Sequence, residues 1–137
     1  EYDFQNLNIG NNFVFDNRIL VDIFDKPFEN INVNKLYTTA YISFDKISGA
    51  IKVRNRRIGD EILINGMHKS LKKLFIEKKI PKEYRDIIPI IFDDEGIIYV
   101  PFIGVSDRVH DASALKKLYF RIVFNTIDKE RWSIAYE

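Results

Sequence analysis

Residues 51–108 read IKVRNRRIGDEILINGMHKSLKKLFIEKKIPKEYRDIIPIIFDDEGIIYVPFIGVSDR, and their punctuation predicts strands interrupted once by a helix. Runs of β-branched and aromatic residues at 51–57, 90–92 and 97–103 are bounded by Asn, Asp, Gly and Pro, which is the pattern of strands. Asp93-Asp94-Glu95-Gly96 separates two of them as a hairpin connection, with Gly96 supplying the positive φ such loops favour. Ser70 can cap the turn that follows it, Leu71, Leu74 and Phe75 fall on one helical face, and Pro81 stops the helix. A second short helix is expected at 82–87, between Pro81 and Pro89.

Outward from this stretch, further strands are expected at 12–23, 36–44, 118–124 and 132–136, with a turn at 45–49. The fold class is therefore α+β, mainly β, with a short helical hairpin. Residues 1–34, rich in Asn and Asp, are expected to be an interdomain connection or N-terminal extension carrying a strand or two, and 35–137 the domain proper. With 137 residues, 46% of them hydrophobic, the chain can bury a core of its own. Cysteine is absent, so no disulfide or thiolate site can form, which fits a cytoplasmic protein. The apolar runs are far shorter than the ~20 residues of a membrane helix. No basic-then-apolar leader follows Glu1, and the absence of a start Met suggests an excised fragment.

Charge is unevenly placed. The whole chain carries 21 basic and 20 acidic residues, yet residues 52–85 hold 11 against 4, while the flanks are each net negative by three. Local charge makes the field, so this distribution suits a single anion-facing patch, or a solvated Lys-rich surface. If 51–57 is a strand, Lys52, Arg54 and Arg56 share a face at ~6.6 Å spacing, able to reach successive phosphates of an RNA strand. The competing structural reading pairs these arginines with acids such as Asp60 and Asp86. On the helix, Lys69, Lys72, Lys73 and Lys79 spread over an arc beside the apolar face, and the positive helix start reinforces the first three. Gly59-Asp60 reads as architecture: a turn whose carboxylate holds backbone donors or a neighbouring Arg.

Other chemistry is thinly represented. His68 and His110 stand 42 positions apart with no Cys or H-E-x-x-H, so no metal site is expected, although His68 precedes the helix and can touch an RNA backbone. The six glycines are too scattered for a nucleotide loop.

The same stretch resembles the C-terminal domain of the tRNA(Ile)-lysidine synthetase family. The family pattern R-N-R-x-x-G-D is met at Arg54 to Asp60, G-x-x-x-S-x-K-K-L-F at Gly66 to Phe75, and I-P at Ile80-Pro81. R-D-x-x-P follows at Arg85 to Pro89 and V-P-x-I-G-V-S-D-R at Val100 to Arg108. The match spans a little under half the chain, with a weaker extension over 36–47. Departures are Glu61 where the family often has Arg, Asn65 where it has Pro, and Phe102 where it has Gly. Glu61 would repel a phosphate, so RNA contact at 61–66 is not expected. The resemblance implies a sandwich-like module shared with part of the phenylalanyl-tRNA synthetase β subunit. It also implies a parent enzyme that adenylates the wobble cytidine of tRNA(Ile) with ATP and joins lysine to it.

The S-G-G-x-D-S phosphate loop of that family's catalytic domain is missing, so this segment is expected to have no catalytic residues, no metal and no cofactor of its own. ATP and lysine belong to the catalytic domain of the parent polypeptide. The implied partners are that catalytic domain and tRNA(Ile), on the acceptor-stem side. The RNA-binding residues expected are Arg54, Arg56, Arg57, Lys69, Lys72, Lys73, Arg85 and Arg108, the last equally readable as a structural ion pair. Two other classes stand beside this one: an interdomain or protein-protein docking module using Tyr37, Tyr41, Phe120, Phe124 and Trp132, and a small hydrolase built on Asp60, His68 and Asp107.

Overall fold

A computed structural model describes residues 3–29 and 34–130, and the strand expected at 132–136 lies outside them, as does Trp132. The chain builds eleven strands and one α-helix among these residues. In order they are β1 (Gln5–Asn6), β2 (Gly10–Val14), β3 (Ile19–Phe24), β4 (Lys35–Ser43), β5 (Lys52–Arg54), β6 (Glu61–Ile64), β7 (Met67–Ser70), α1 (Leu71–Glu77), β8 (Ile90–Asp93), β9 (Gly96–Val100), β10 (Gly104–Val105) and β11 (Lys117–Asp128). Two antiparallel sheets, β2-β3-β11-β4 and β1-β5-β8-β9-β10, share one apolar core, with the β6-β7 hairpin as a separate ribbon.

The core is set by alternation. Along β11, Leu118, Phe120, Ile122 and Phe124 are buried while the residues between them are only half-buried. Phe120 meets Tyr99 edge-on at 6.0 Å and Phe124 meets Phe102 at 5.5 Å, joining the two sheets. Phe120 and Phe124 are therefore core residues and not the docking surface considered from the sequence.

The expected run at 12–23 is two strands. Phe15, Asp16 and Asn17 take positive φ between them, a conformation Asn and Asp tolerate better than most side chains. Because β3 lies between β2 and β11, residues 10–24 are integral to the same sheet as β4 and β11, which crosses the boundary drawn at residue 34.

The Asp93–Gly96 connection turns β8 into β9 as the sequence indicates, but β9 ends at Val100, short of Ile103. The helix buries Leu71, Leu74 and Phe75, and Ser70 accepts a hydrogen bond from the Lys73 N–H. It ends at Glu77, before Pro81, because Lys79 turns left-handed and the Ile80 N–H bonds back to the Phe75 carbonyl. The segment expected as a second helix is a 3-10 turn at Lys82–Tyr84.

One hairpin went unanticipated. Asn65 and Gly66, both at positive φ, join β6 to β7 in the two-residue arrangement that Asn-Gly favours, and both of their N–H groups donate to the Asp107 carboxylate. Asp107 thereby ties the ribbon to the turn after β10.

Candidate nucleic-acid interface

The arginines of the R-N-R-R stretch do not form a row. Strand β5 stops after three residues, so only Lys52 and Arg54 alternate along it, both against the Phe92 ring, and Arg56 lies beyond its end. Arg54 turns inward: Nη1 and Nη2 each donate to one Asp60 oxygen at 2.9 Å, both side chains are 9% exposed, and the guanidinium lies 5.1 Å from the Phe92 ring centre. The same carboxylate accepts from the Arg57 N–H, and the Asp60 carbonyl accepts from the Leu71 N–H at the start of α1. Gly59-Asp60 is thus architecture, pinning the arginine-rich turn against the helix. Lys52 reaches Asp94 at 2.8 Å.

Arg56 is held differently. Its Nε donates to Asp86 at 2.8 Å and its guanidinium lies 5.9 Å from the Phe75 ring centre, while the side chain keeps 31% of its surface open. The Asn55 side chain donates to the Asp86 carbonyl, and Arg85 next in sequence donates from Nε to the Ile80 carbonyl. These bonds gather the 55–60 turn, the helix and the 80–86 segment on one side of the protein.

Lys72 and Lys73 are exposed on α1, off its buried face, and Lys69 is half-buried on β7. Among the described residues these three enter no ion pair. The helix start itself offers less than its charge suggested: the Leu71 and Lys73 N–H groups are taken by Asp60 and Ser70. The cationic side chains, and not free helix donors, dominate this surface.

Arg108 sits apart, at the other end of β8. Its Nη2 donates to Asp93 at 2.6 Å and Nη1 lies 3.5 Å from Glu95, with the Asp93 side chain fully buried. Burial pushes the Asp93 carboxyl up, but the bond from Arg108 and those from the Ser48 and Glu95 N–H groups outweigh it, and the group sits below its ordinary value. The ion-pair reading of Arg108 is the one realised here.

The hydrolase constellation does not assemble. Both Asp60 oxygens are engaged by Arg54, both Asp107 oxygens by the Asn65-Gly66 turn, and His68 stands exposed on β7 opposite Leu63. No group of three or more metal-ligating side chains converges among the described residues. No described helix is long and apolar enough to cross a membrane.

A family model described as the TilS substrate C-terminal domain matches residues 51–122. The tRNA(Ile)-lysidine synthase of Thermotoga maritima is 50% identical over 71 residues, covering 51% of this chain and 17% of that protein. That of Clostridium tetani is 35% identical over 107 residues, covering 76% and 23%. The chain thus spans less than a quarter of the length of these relatives. A solved structure described as the crystal structure of TILS C-terminal domain shares the fold at a TM-score of 0.67 and 23% identity, over 90% of this chain and 98% of that one.

Proposed function

The chain belongs to the TilS substrate C-terminal domain family, and from that membership we propose that it is the non-catalytic, tRNA-binding part of an ATP-dependent tRNA(Ile)-lysidine synthase. It holds the tRNA body on the acceptor-stem side while a catalytic domain of the same polypeptide, supplied with ATP and lysine, modifies the wobble cytidine. Its contribution is binding energy and orientation, because a reaction at one end of a tRNA gains from a grip elsewhere on the same molecule. The observation that carries this reading is the surface formed by Lys69, Lys72 and Lys73 beside the partly open Arg56, in the segment where 11 basic residues face 4 acidic ones. Arg57 and Arg85 flank it. Arg54 supports it from beneath, as an ion pair with Asp60 that fixes the 54–60 turn, while Arg108 fixes a turn at the other end of β8. Contacts of this kind read phosphates, 2′-hydroxyls and A-form shape more than base edges.

The deciding experiment is charge reversal of the helix, Lys72→Glu with Lys73→Glu, followed by tRNA titration. Both side chains are exposed, so stability should stay within about 0.5 kcal/mol of wild type while tRNA affinity falls. Unchanged affinity in the folded variant favours the second reading, a docking module for the rest of the enzyme. Exposed apolar Ile58 and Ile76 in the same segment support that alternative.

A further inference from the structure

On the opposite side of the β2-β3-β11-β4 sheet from its core, the alternating residues of β4 and β11 carry aromatic rings and a cation. Tyr41 pairs directly with Tyr119, Thr39 with Arg121 and Tyr37 with Val123. Their side chains share the outer face, because the intervening Phe120 and Ile122 fill the core. A cleft of about 710 Å³ opens over this face, with Tyr37, Tyr41, Tyr119, Phe28, His110 and Arg121 among its walls.

The rings are arranged, not merely adjacent. Tyr41 and Tyr119 lie 6.3 Å apart, and His110 tilts toward Tyr41 at 5.6 Å, its Nε2 3.5 Å from the hydroxyl. Cations stand over the same rings: Lys117 Nζ is 5.0 Å from the Tyr41 centre, Lys129 Nζ is 4.8 Å from that of Tyr37, and the Arg121 guanidinium is 4.8 Å from that of Phe28. Arg121 is anchored by two bonds to the fully buried Asp22 carboxylate. Of the acids lining the cleft, Asp107 is engaged by the Asn65-Gly66 turn and Glu29 remains; Arg121 is paired with Asp22 through Nε and Nη2, so Lys117 and Lys129 over the rings are the cations without an acid partner here among the described residues.

We propose that this cleft binds unpaired RNA nucleotides, with bases stacking on Tyr41, Tyr119 and Tyr37 and phosphates meeting Lys117, Lys129 and Arg121. The class of ligand rests on the tRNA-binding reading above, but the surface is a different one. Aromatic side chains on an open sheet face, flanked by cations, are how proteins grip splayed bases, because every base has a π-face and the backbone between bases is anionic. Tyr37 lies four residues from Tyr41 along β4, ~13 Å, so the face offers two separate stacking positions. A buried protein interface fits less well, since Arg121, Thr39, Asn65, Asp107 and His110 break up the apolar lining of the cleft.

The test uses labelled oligoadenylate and, for comparison, an RNA duplex of the same length. Tyr41→Ala with Tyr119→Ala should weaken oligoadenylate binding at least about fivefold while leaving duplex affinity unchanged, and Tyr41→Phe with Tyr119→Phe should retain wild-type affinity. The wild-type chain provides a measurement independent of any variant: its tyrosine ring NMR resonances should shift on addition of oligoadenylate. The proposal is overturned if those resonances stay put at saturating oligonucleotide, if the folded alanine variant binds as tightly as wild type, or if the tyrosine face responds only to self-association. Loss of the basic-surface reading would appear elsewhere, as duplex binding indifferent to Lys72→Glu with Lys73→Glu.

Discussion

Arg54 and Asp60 lie six residues apart and close on each other through two 2.9 Å hydrogen bonds in a site almost sealed from water. A paired buried charge is tolerated because its partner replaces the lost hydration, and removing one member strands the other. Asp60→Asn should therefore destabilise the protein by about 3–5 kcal/mol in denaturant unfolding, with tRNA affinity of the remaining folded fraction little changed. A variant as stable as wild type, yet defective in RNA binding, would mean that Asp60 acts on the ligand and not on the fold.

Leu74 anchors α1 through the face opposite the lysines. Leu74→Ala should cost about 2–5 kcal/mol by leaving a cavity, and lose binding only in proportion to unfolding. Melting curves read beside tRNA titrations distinguish this from the lysine reversal, which should do the reverse.

The Asn65-Gly66 turn gives a backbone test. Gly66 has φ of 77° with open space where a Cβ would stand, so Gly66→Ala should cost about 1–2 kcal/mol from backbone strain alone. Asp107→Ala should also destabilise, by uncoupling this turn from the segment after β10. Full stability in both variants, by urea unfolding, would show that the hairpin is not tied down by its turn.

Asp93 predicts a pH dependence. Its carboxyl is lowered in the folded protein, so its contribution to stability is complete above the unfolded value and is lost as pH falls through the folded one, that is, below about pH 4. Asp93→Asn should lower the urea midpoint at neutral pH and flatten part of the acid limb. An unchanged acid limb would show that other carboxylates govern it.

Where sequence and structure agree, short-range physics decides. The Asp93–Gly96 turn, the Ser70 cap and the Leu71, Leu74, Phe75 face each depend on residues within a few positions of one another. The Asn65-Gly66 hairpin was equally local and legible, but its surroundings, Met67 to Ser70, lack the apolar alternation that would mark a strand. Alternation puts Arg54 on the same face as Lys52 but does not say that this face is covered; the burial of its side chain follows from Asp60 and Phe92 meeting it in space. Arg108 depends likewise on Asp93, brought to it by the β8-β9 hairpin. The tyrosine face was legible in part: Tyr37 and Tyr41 stand out in the sequence as contact residues, but grouping them with Phe120 and Phe124 mixes the two faces of the sheet, since those two rings fill the core.

The central claim, that a cationic surface grips RNA phosphates, is tested most directly by titrating tRNA into this chain across a range of salt concentrations. With ~4–6 phosphates neutralised, the logarithm of affinity should fall against the logarithm of salt with a slope of about −3 to −5, because each contact releases condensed counterions. A slope near zero, or no tRNA binding at low salt, would contradict it.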